Sequence, residues 1–259
     1  MYLAQSHLPC MISKSFEKYV NSLRQKRYRE ERNRFVAEGE KVTEEFLSEK
    51  CVVEKLLCTA KWLNRNSGHL NRHAEHIVEV SESEMQRLSS LVTPSTVMLI
   101  AEIPQSEIDD RNIETNVHLV LDDIQDPGNL GTIIRIADWF GIEALFCSVN
   151  CADAYSPKVV QSSMGSLARI KVKHTGLAEL FLQYPSMPVI GMFTRGENLF
   201  TVERIKCGFI IIGNEARGIS ADLEKFIGKK ISIPGTGKAE SLNAAVAAGI
   251  TCAWLKRPG

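Results

Sequence analysis

The sequence predicts an α/β fold in two parts, a C-terminal parallel sheet covered by helices and a smaller N-terminal α/β domain. From Val117 onwards, short continuous apolar segments alternate with helical patterns, as in parallel sheets that are buried on both faces. The first hundred residues alternate helix and strand patterns less regularly, and a polar segment containing Pro104 follows them. These observations predict domains at 1–105 and 117–259, joined by a linker at 106–116.

The N-terminal part begins with a basic amphipathic helix, predicted at 13–29. Ser81 is a typical N-cap, because its hydroxyl can accept hydrogen bonds from backbone amides one turn further on. The remaining patterns predict a strand at 34–37, a helix at 40–48, a strand at 52–58, a helix at 61–66, a strand at 76–80, a helix at 81–89 and a strand at 97–102.

The C-terminal part has a more regular pattern of buried strands and helices. Pro157 suits the first turn of one helix, and Ser241 is expected to cap an alanine-rich C-terminal helix that follows Asn243. The predicted strands are at 117–121, 144–147, 170–172, 189–193, 209–212 and 230–233. The other predicted helices are at 130–140, 156–166, 176–183 and 220–226.

Composition points to a soluble globular protein, with 44% hydrophobic and 24% charged residues. No apolar run approaches the roughly 20 residues that a membrane span needs, and the first ten residues do not form a secretion signal. We therefore expect a cytoplasmic protein. Translation could begin at Met1 or at Met11, since the helical pattern starts only after the latter.

Cysteine and histidine spacing gives no support for a metal or a disulfide framework. The seven cysteines include no C-x-x-C pair and are odd in number, which predicts reduced thiols in or near the core. His69, His73 and His76 lie in a polar stretch that is typical of a solvated loop. We expect no metal.

Charge is balanced overall, with 31 basic and 31 acidic residues, but it is unevenly distributed. Residues 14–34 carry an excess of lysine and arginine over acidic residues. Such a segment is either a solvated helix face or a surface that binds phosphate groups, and both interpretations remain open at this point.

Polar residues and glycines follow predicted strands, where ligands bind in open parallel sheets. In the first such loop, Asn129 can cap the next helix and Gly131 leaves its first turn bare. Arg135 lies six residues after Asn129, about one and two thirds helical turns away, so it should point partly away from the cap. Taken alone, this pattern is that of a capped helix with a surface arginine.

The loop after the strand at 209–212 places Glu215 between Gly213 and Gly218. A carboxylate there can accept hydrogen bonds from a ligand, while the glycines allow the backbone to approach closely. The loop before the last helix contains Gly-x-Gly-Lys, but Ala239 stands where a phosphate-binding loop needs a hydroxyl. This difference excludes a nucleoside triphosphate site of that kind.

Three motifs carry a resemblance to a known family: Asn129-x-Gly131-x-x-x-Arg135, Gly213-Asn214-Glu215-x-x-Gly218, and Ile233-Pro234 followed by Ser241-Leu242-Asn243. In this order and spacing they resemble the motifs of the SpoU family of RNA 2'-O-ribose methyltransferases, and the match covers residues 117–257. The segment 34–41 is similar to the RNA-binding domain that precedes the catalytic domain in ribosomal-RNA members.

The resemblance implies a SPOUT fold with a deep trefoil knot, S-adenosylmethionine as cofactor, RNA as substrate and a homodimer as the working unit. It implies that the catalytic residues are Asn129, Arg135, Glu215, Ser241 and Asn243, and that the cofactor contacts are Gly213, Ile233 and Leu242. The basic segment becomes a candidate RNA contact through Arg24, Lys26, Arg27, Arg29, Arg32 and Arg34.

Two other functions are consistent with the same motifs. One is methylation of tRNA by a member of the same family, although a separate N-terminal domain is more typical of ribosomal-RNA members. The other is a catalytically silent RNA-binding assembly factor, against which the presence of Arg135, Glu215 and Asn243 argues.

Overall fold

The computed structural model describes residues 12–49, 51–105 and 108–256, which form two compact units. The first unit contains the described residues up to Pro104 together with Tyr155–Ala168. The second contains the described residues of 105–154 and those from Arg169 onwards. The alternative start sites at Met1 and Met11 lie outside the described residues.

The helices, in chain order, are α1 (Lys14–Ser22), α2 (Lys26–Arg32), α3 (Glu40–Ser48), α4 (Ala60–Asn66), α5 (Glu82–Leu88), α6 (Asp110–Thr115), α7 (Pro127–Trp139), α8 (Pro157–Ser162), α9 (Leu177–Gln183) and α10 (Ala244–Lys256). The strands are β1 (Arg34–Glu38), β2 (Val53–Cys58), β3 (Ile77–Glu79), β4 (Val97–Glu102), β5 (Val117–Leu121), β6 (Ala144–Cys147), β7 (Lys171–His174), β8 (Val189–Asn198), β9 (Gly208–Ile212) and β10 (Lys229–Ser232). Short 3-10 helices include Glu224–Phe226.

The first unit is built on a four-stranded sheet of order β1-β4-β2-β3. The central strand β4 pairs antiparallel with β1 and β2, and β3 lies parallel to β2. Val20 of α1 and Met85 of α5 are buried in one cluster with Leu57 and Met98 of the sheet. The apolar faces of these helices therefore cover the sheet, as expected of a small α/β unit.

The single helix expected at 13–29 is wrong, because the chain breaks between α1 and α2. Leu23 follows α1 with its side chain buried. Arg29 is also buried, and its Nη1 donates to the Leu23 carbonyl oxygen at 2.8 Å. Carbonyl groups at a helix end lack intrahelical donors, so this arginine stabilises the turn between the two helices.

One segment from the second half of the sequence, Tyr155–Ala168, groups with the first unit. The Tyr155 ring lies 5.0 Å from the Phe35 ring, between centroids. Gly165 has φ +92°, and a Cβ on it would lie 2.5 Å from Glu45 Cβ, so this close approach requires glycine. The expected domain boundaries at 105 and 117 stay a prediction.

The second unit contains a six-stranded sheet of order β10-β8-β9-β5-β6-β7 in which every pairing is parallel. Its core includes Val120, Phe146, Phe181 and Phe209. The expected α/β class with a C-terminal parallel sheet is therefore confirmed. The trefoil knot stays a prediction.

The secondary structure of the second unit differs from the sequence pattern in two places. The predicted linker contains α6, which Asp109 caps by accepting a hydrogen bond from the Arg111 amide at 2.9 Å, and which buries Ile113. A single apolar side chain in a polar segment leaves no periodic signal for a helix. The helix expected at 220–226 is wrong, since this segment forms only the 3-10 turn at Glu224–Phe226.

The described residues contain no helix that is long and apolar enough to cross a membrane. In the same part of the chain, no group of three or more histidine, cysteine or acidic side chains could hold a metal ion. The described cysteines are free, and the buried ones among them are Cys58, Cys147, Cys151 and Cys252.

Candidate active site

A cavity of about 940 Å³ lies at the carboxyl ends of β9 and β10 and against the middle of β8 in the second unit. Its walls come from residues 192–194, from 212–219, from the loop before α10 and from α10 itself. The three residues expected to contact a cofactor all line it, namely Gly213, Ile233 and Leu242. Two of the expected catalytic residues, Glu215 and Ser241, also line this cavity.

Asn129 connects the three motif loops. Its Nδ2 donates to Glu215 Oε1 at 2.5 Å, and its Oδ1 accepts from Asn243 Nδ2 at 2.9 Å. Asn129 and Glu215 are half-buried, whereas Asn243 is exposed. The three side chains come from the first turn of α7, the loop after β9 and the loop before α10, so tertiary structure brings together residues that are 86 and 114 positions apart.

Both helix caps expected at this site are wrong. Asp126, not Asn129, caps α7 by accepting from the Asn129 amide at 2.8 Å, which leaves the Asn129 side chain available for the bridge. Asn243, not Ser241, caps α10, since its Oδ1 accepts from the Ala245 amide at 2.9 Å. Asn243 therefore caps α10 with its side-chain oxygen and donates to Asn129 with its side-chain nitrogen.

The loop after β9 closes on itself through two glycines. Asn214 and Gly218 exchange two backbone hydrogen bonds of 3.0 and 2.9 Å. A Cβ on Gly213 would lie 2.4 Å from the Gly218 carbonyl carbon, and Gly218 itself has φ +72°. Side chains at these positions would open the turn that presents Glu215.

A second layer of contacts, which the sequence did not predict, fixes this turn to the loop after β5. Asn214 Nδ2 donates to the Asp123 carbonyl oxygen at 2.9 Å, and Arg217 donates to the Asp123 carboxylate. The buried Asp122 accepts from the Ser220 amide at 2.7 Å. Adjacent acidic residues at the end of a buried strand were the available signal, because burying a carboxylate requires partners.

Cys151 also holds the loop after β5. Its Sγ accepts from the Ile124 amide at 3.3 Å, and its thiol donates to the Leu121 carbonyl oxygen at 3.2 Å. The hydrogen bond with Cys147 is the largest cause that lowers the pKa of Cys151 to about 7, while burial opposes it. These contacts act on the backbone that leads into α7.

Arg135 lies on the exposed side of α7, apart from the hydrogen-bonded group. Among the described residues it has no hydrogen-bond or ion-pair partner. Ser241 is likewise exposed, at the rim of the cavity. The structure thus brings Asn129, Glu215 and Asn243 into contact and leaves Arg135 and Ser241 free to meet a ligand from outside.

The six candidate RNA contacts in the first unit differ in availability. Arg29 is 3% exposed, so we withdraw it from the candidate RNA surface. Arg34 is ion-paired with Glu54 at 2.7 Å, and Arg24 donates to the Ser89 carbonyl oxygen at 2.8 Å. The other three lie on exposed parts of α2, and they are Lys26, Arg27 and Arg32.

Comparison with known proteins agrees with this geometry. A model of the SpoU rRNA Methylase family matches residues 116–253, which is more than half of the chain. The chain belongs to the SpoU rRNA methylase family. This finding confirms the resemblance carried by the three motifs. In this SpoU family member, residues 16–99 match a model described as an MRM3-like substrate binding domain.

Relatives of this SpoU family member span almost its whole length. A 23S rRNA (guanosine(2553)-2'-O)-methyltransferase of Bacillus subtilis is 30% identical and is matched over 90% of this chain and 93% of that protein. A protein from Porphyromonas gingivalis, assigned to the TrmH family of RNA methyltransferases, is 35% identical with a TM-score of 0.84, over 96% of this chain and 99% of that one. An AdoMet-bound rRNA methyltransferase from Sinorhizobium meliloti is 27% identical with a TM-score of 0.83, over 94% and 95%.

Proposed function

We propose that this protein transfers the methyl group of S-adenosylmethionine to a ribose 2'-hydroxyl of RNA, and that the RNA is ribosomal. The observation that carries the proposal is the hydrogen-bonded group of Asn129, Glu215 and Asn243, which joins the three family motifs beside one large cavity. Membership of the SpoU rRNA methylase family supports the same reaction.

The residues of the cavity fit this cofactor. Its volume of about 940 Å³ is within the range of roughly 300–1,000 Å³ that is usual for small-molecule sites. Apolar walls such as Ile219 and Leu242 alternate with polar groups such as Glu215, as a ligand with an aromatic base and a charged tail requires. When bound, S-adenosylmethionine would supply a methyl group on a sulfonium sulfur, which departs as a neutral thioether.

The chain must orient the ribose hydroxyl and ease the loss of its proton. We assign the orienting role to Glu215, whose carboxylate Asn129 holds at 2.5 Å. A guanidinium keeps its protons in proteins, so we assign Arg135 to binding the neighbouring phosphate and stabilising developing negative charge on the 2'-oxygen. The proton then leaves to a phosphate or to water.

The Arg135→Ala variant tests this assignment. Methyl transfer should fall by roughly 10²–10³-fold, the usual effect of removing one group that stabilises developing charge. Binding of S-adenosylhomocysteine, measured by titration calorimetry, should stay within about twofold of wild type. Arg111→Ala, which removes another exposed arginine of the same unit, is the matched control. Loss of cofactor binding in the Arg135 variant would contradict the assignment.

The choice of ribosomal RNA rests on two observations. Residues 16–99 match a substrate binding domain, and the Bacillus subtilis relative is named for ribosomal RNA. Labelled methyl groups should therefore enter unmodified ribosomal RNA and not tRNA, and nucleotide mapping would identify the position. Labelling of tRNA alone would support the second candidate, and RNA binding without labelling of either would support an assembly factor.

We also propose that the protein works as a homodimer. Trp139 on α7 is 84% exposed and Val246 on α10 is 49% exposed, and these two helices pack on each other. Large exposed apolar side chains on neighbouring helices are typical of a protein interface. Arg135 is one helical turn from Trp139, so the same face would carry it into the dimer.

Sedimentation of the wild type and of Trp139→Glu tests the interface. The wild type should sediment as a dimer and the variant as a monomer, whereas Leu182→Glu, at another exposed apolar side chain, should leave the dimer intact. A monomeric wild type at micromolar concentration would contradict the proposal. We place the working protein in the cytoplasm, on the basis of its bacterial ribosomal-RNA relative.

A further inference from the structure

Strand β8 contains a bulge, here called the excursion, at the wall of the cavity. In its pairing with β10, Lys230 lies opposite Gly191, but the next residue, Ile231, lies opposite Glu197. The intervening residues 192–196 therefore leave the ladder of hydrogen bonds. Three of them line the cavity, namely Met192, Phe193 and Thr194.

Two close approaches fix the base of this excursion. A Cβ on Gly191 would lie 2.5 Å from Phe193 Cε2, so the phenyl ring occupies the space that any other residue would fill. A Cβ on Gly196 would lie 2.7 Å from the Lys230 carbonyl oxygen. Glycine at both ends lets residues 192–196 fold back tightly against β10.

The Phe193 ring is held from a second direction by a charged pair. Lys230 Nζ lies 4.6 Å from the ring centroid and 2.5 Å from Glu224 Oε2. A cation over an aromatic face is attracted to the ring electrons. Since Glu224 also lines the cavity, the ring and the carboxylate border the same space.

Strand order shows where this ring lies relative to the catalytic group. The order β8-β9-β5 places the loop of Phe193 two strands away from the loop of Asn129, which is about 10 Å at the usual strand spacing. Phe193 therefore borders the side of the cavity farther from Asn129, while the loop that carries Glu215 lies between them. A cofactor whose methyl group faces Asn129 and Glu215 would place a non-reacting portion against Phe193.

We infer that Phe193 is the platform on which the purine base of the cofactor stacks, and that Lys230 and Gly191 hold its ring in place; this inference rests on the proposed function. A flat apolar ring matches the face of a purine, whereas the charged ammonium and carboxylate of a methionyl tail need polar partners. Glu224 Oε1 can accept a hydrogen bond from the exocyclic amine of adenine.

Calorimetric titration with two ligands tests the inference. S-adenosylhomocysteine contains both the base and the amino-acid tail, and 5'-methylthioadenosine contains the base without the tail. Phe193→Leu should raise both dissociation constants on the order of tenfold, as expected for the loss of base stacking. Phe193→Tyr should retain both affinities, and Phe200→Leu, at a half-exposed phenylalanine, is the matched control. The KM for S-adenosylmethionine should rise in the leucine variant more than kcat falls.

Each other outcome decides the question. Unchanged affinity for both ligands in Phe193→Leu would overturn the inference. Weaker binding of S-adenosylhomocysteine with unchanged binding of 5'-methylthioadenosine would also overturn it, since the ring would then contact the amino-acid tail. If the leucine variant does not fold, Lys230→Met decides, with about threefold weaker binding of both ligands expected and unchanged binding overturning the inference. A wild type that binds neither ligand would instead refute the proposed function.

Discussion

Replacing Asn129 with alanine removes both hydrogen bonds that join the three motif loops. The lost bonds are the 2.5 Å donation to the Glu215 carboxylate and the 2.9 Å bond accepted from Asn243. Hydrogen bonds to charged groups contribute about 1.5–3 kcal/mol and neutral ones about 0.5–1.5 kcal/mol. Because Asn243 is exposed and the other two side chains are only half-buried, water compensates part of the loss. We expect Asn129→Ala to lower the free energy of unfolding by about 2 kcal/mol.

A double-mutant cycle isolates the contribution of the Asn129–Glu215 contact. Urea unfolding of Asn129→Ala, Glu215→Ala and the double variant should give a coupling energy of about 1–2 kcal/mol, well above the roughly 0.3–0.5 kcal/mol at which independent sites add. Asn116 is the matched control, since among the described residues its side-chain amide donates only to the Asn112 carbonyl oxygen and the Thr115 hydroxyl, both in its own segment. The effects of Asn116→Ala and Glu215→Ala on the free energy of unfolding should add.

The same variants connect the bridge with catalysis. Methyl transfer by Asn129→Ala should fall at least tenfold, since Glu215 loses the group that orients it. A coupling energy within the additive range, or an Asn129→Ala variant with wild-type activity, would refute the reasoning that this bridge organises the site.

Two further predictions concern single features of the fold. Burial lowers the pKa of His118 below its ordinary value of about 6.5, so the unfolded chain binds the proton more readily than the folded one. The free energy of unfolding should therefore decrease as the pH falls below about 6.5. His118→Leu should reduce the difference between the urea midpoints measured at about pH 7.5 and about pH 5.5. In the first unit, replacing the exposed Lys26 and Arg27 with alanine should weaken RNA binding and reduce its salt dependence, with little effect on stability. Arg29→Ala, at a buried side chain, should mainly destabilise the fold. If both changes reduced the salt dependence of RNA binding equally, the distinction between exposed and buried basic residues would be contradicted.

The parallel sheet and its functional edge could be predicted because burial leaves a direct trace in the sequence. Segments such as Phe209–Ile212 are continuously apolar, and the carboxyl ends of parallel strands meet at one edge. The loops carrying Asn129, Glu215 and Asn243 therefore had to lie near one another. Their spacing within the family motifs then indicated the chemistry.

The assignment of individual polar side chains could not be predicted in the same way. Asp126 and Asn129 are both suitable caps for α7, and Ser241 and Asn243 for α10, so local propensity does not choose between them. In each pair the choice is visible only in the tertiary contacts. Arg29 illustrates the same limit, since the sequence shows a basic residue while its burial depends on the turn after α1.

The two roles of Asn243 can be separated by a change of one atom type. Its Oδ1 accepts from the Ala245 and Val246 amides at 2.9 and 3.3 Å, and its Nδ2 donates to Asn129. Asn243→Asp keeps an acceptor for the helix, where a carboxylate also suits the N-terminal dipole, but it cannot donate. Asn243→Ala loses both functions.

We therefore expect the free energy of unfolding of Asn243→Asp to lie within about 0.5 kcal/mol of wild type, and that of Asn243→Ala to be lower by about 1 kcal/mol. Methyl transfer should be reduced at least tenfold in both variants. Asn243→Ser, which retains a capping oxygen on a shorter side chain, should resemble the aspartate variant. Full activity in a stable Asn243→Asp protein would show that the amide donor is dispensable. The helix cap alone would then explain why this residue stands at the mouth of the cavity.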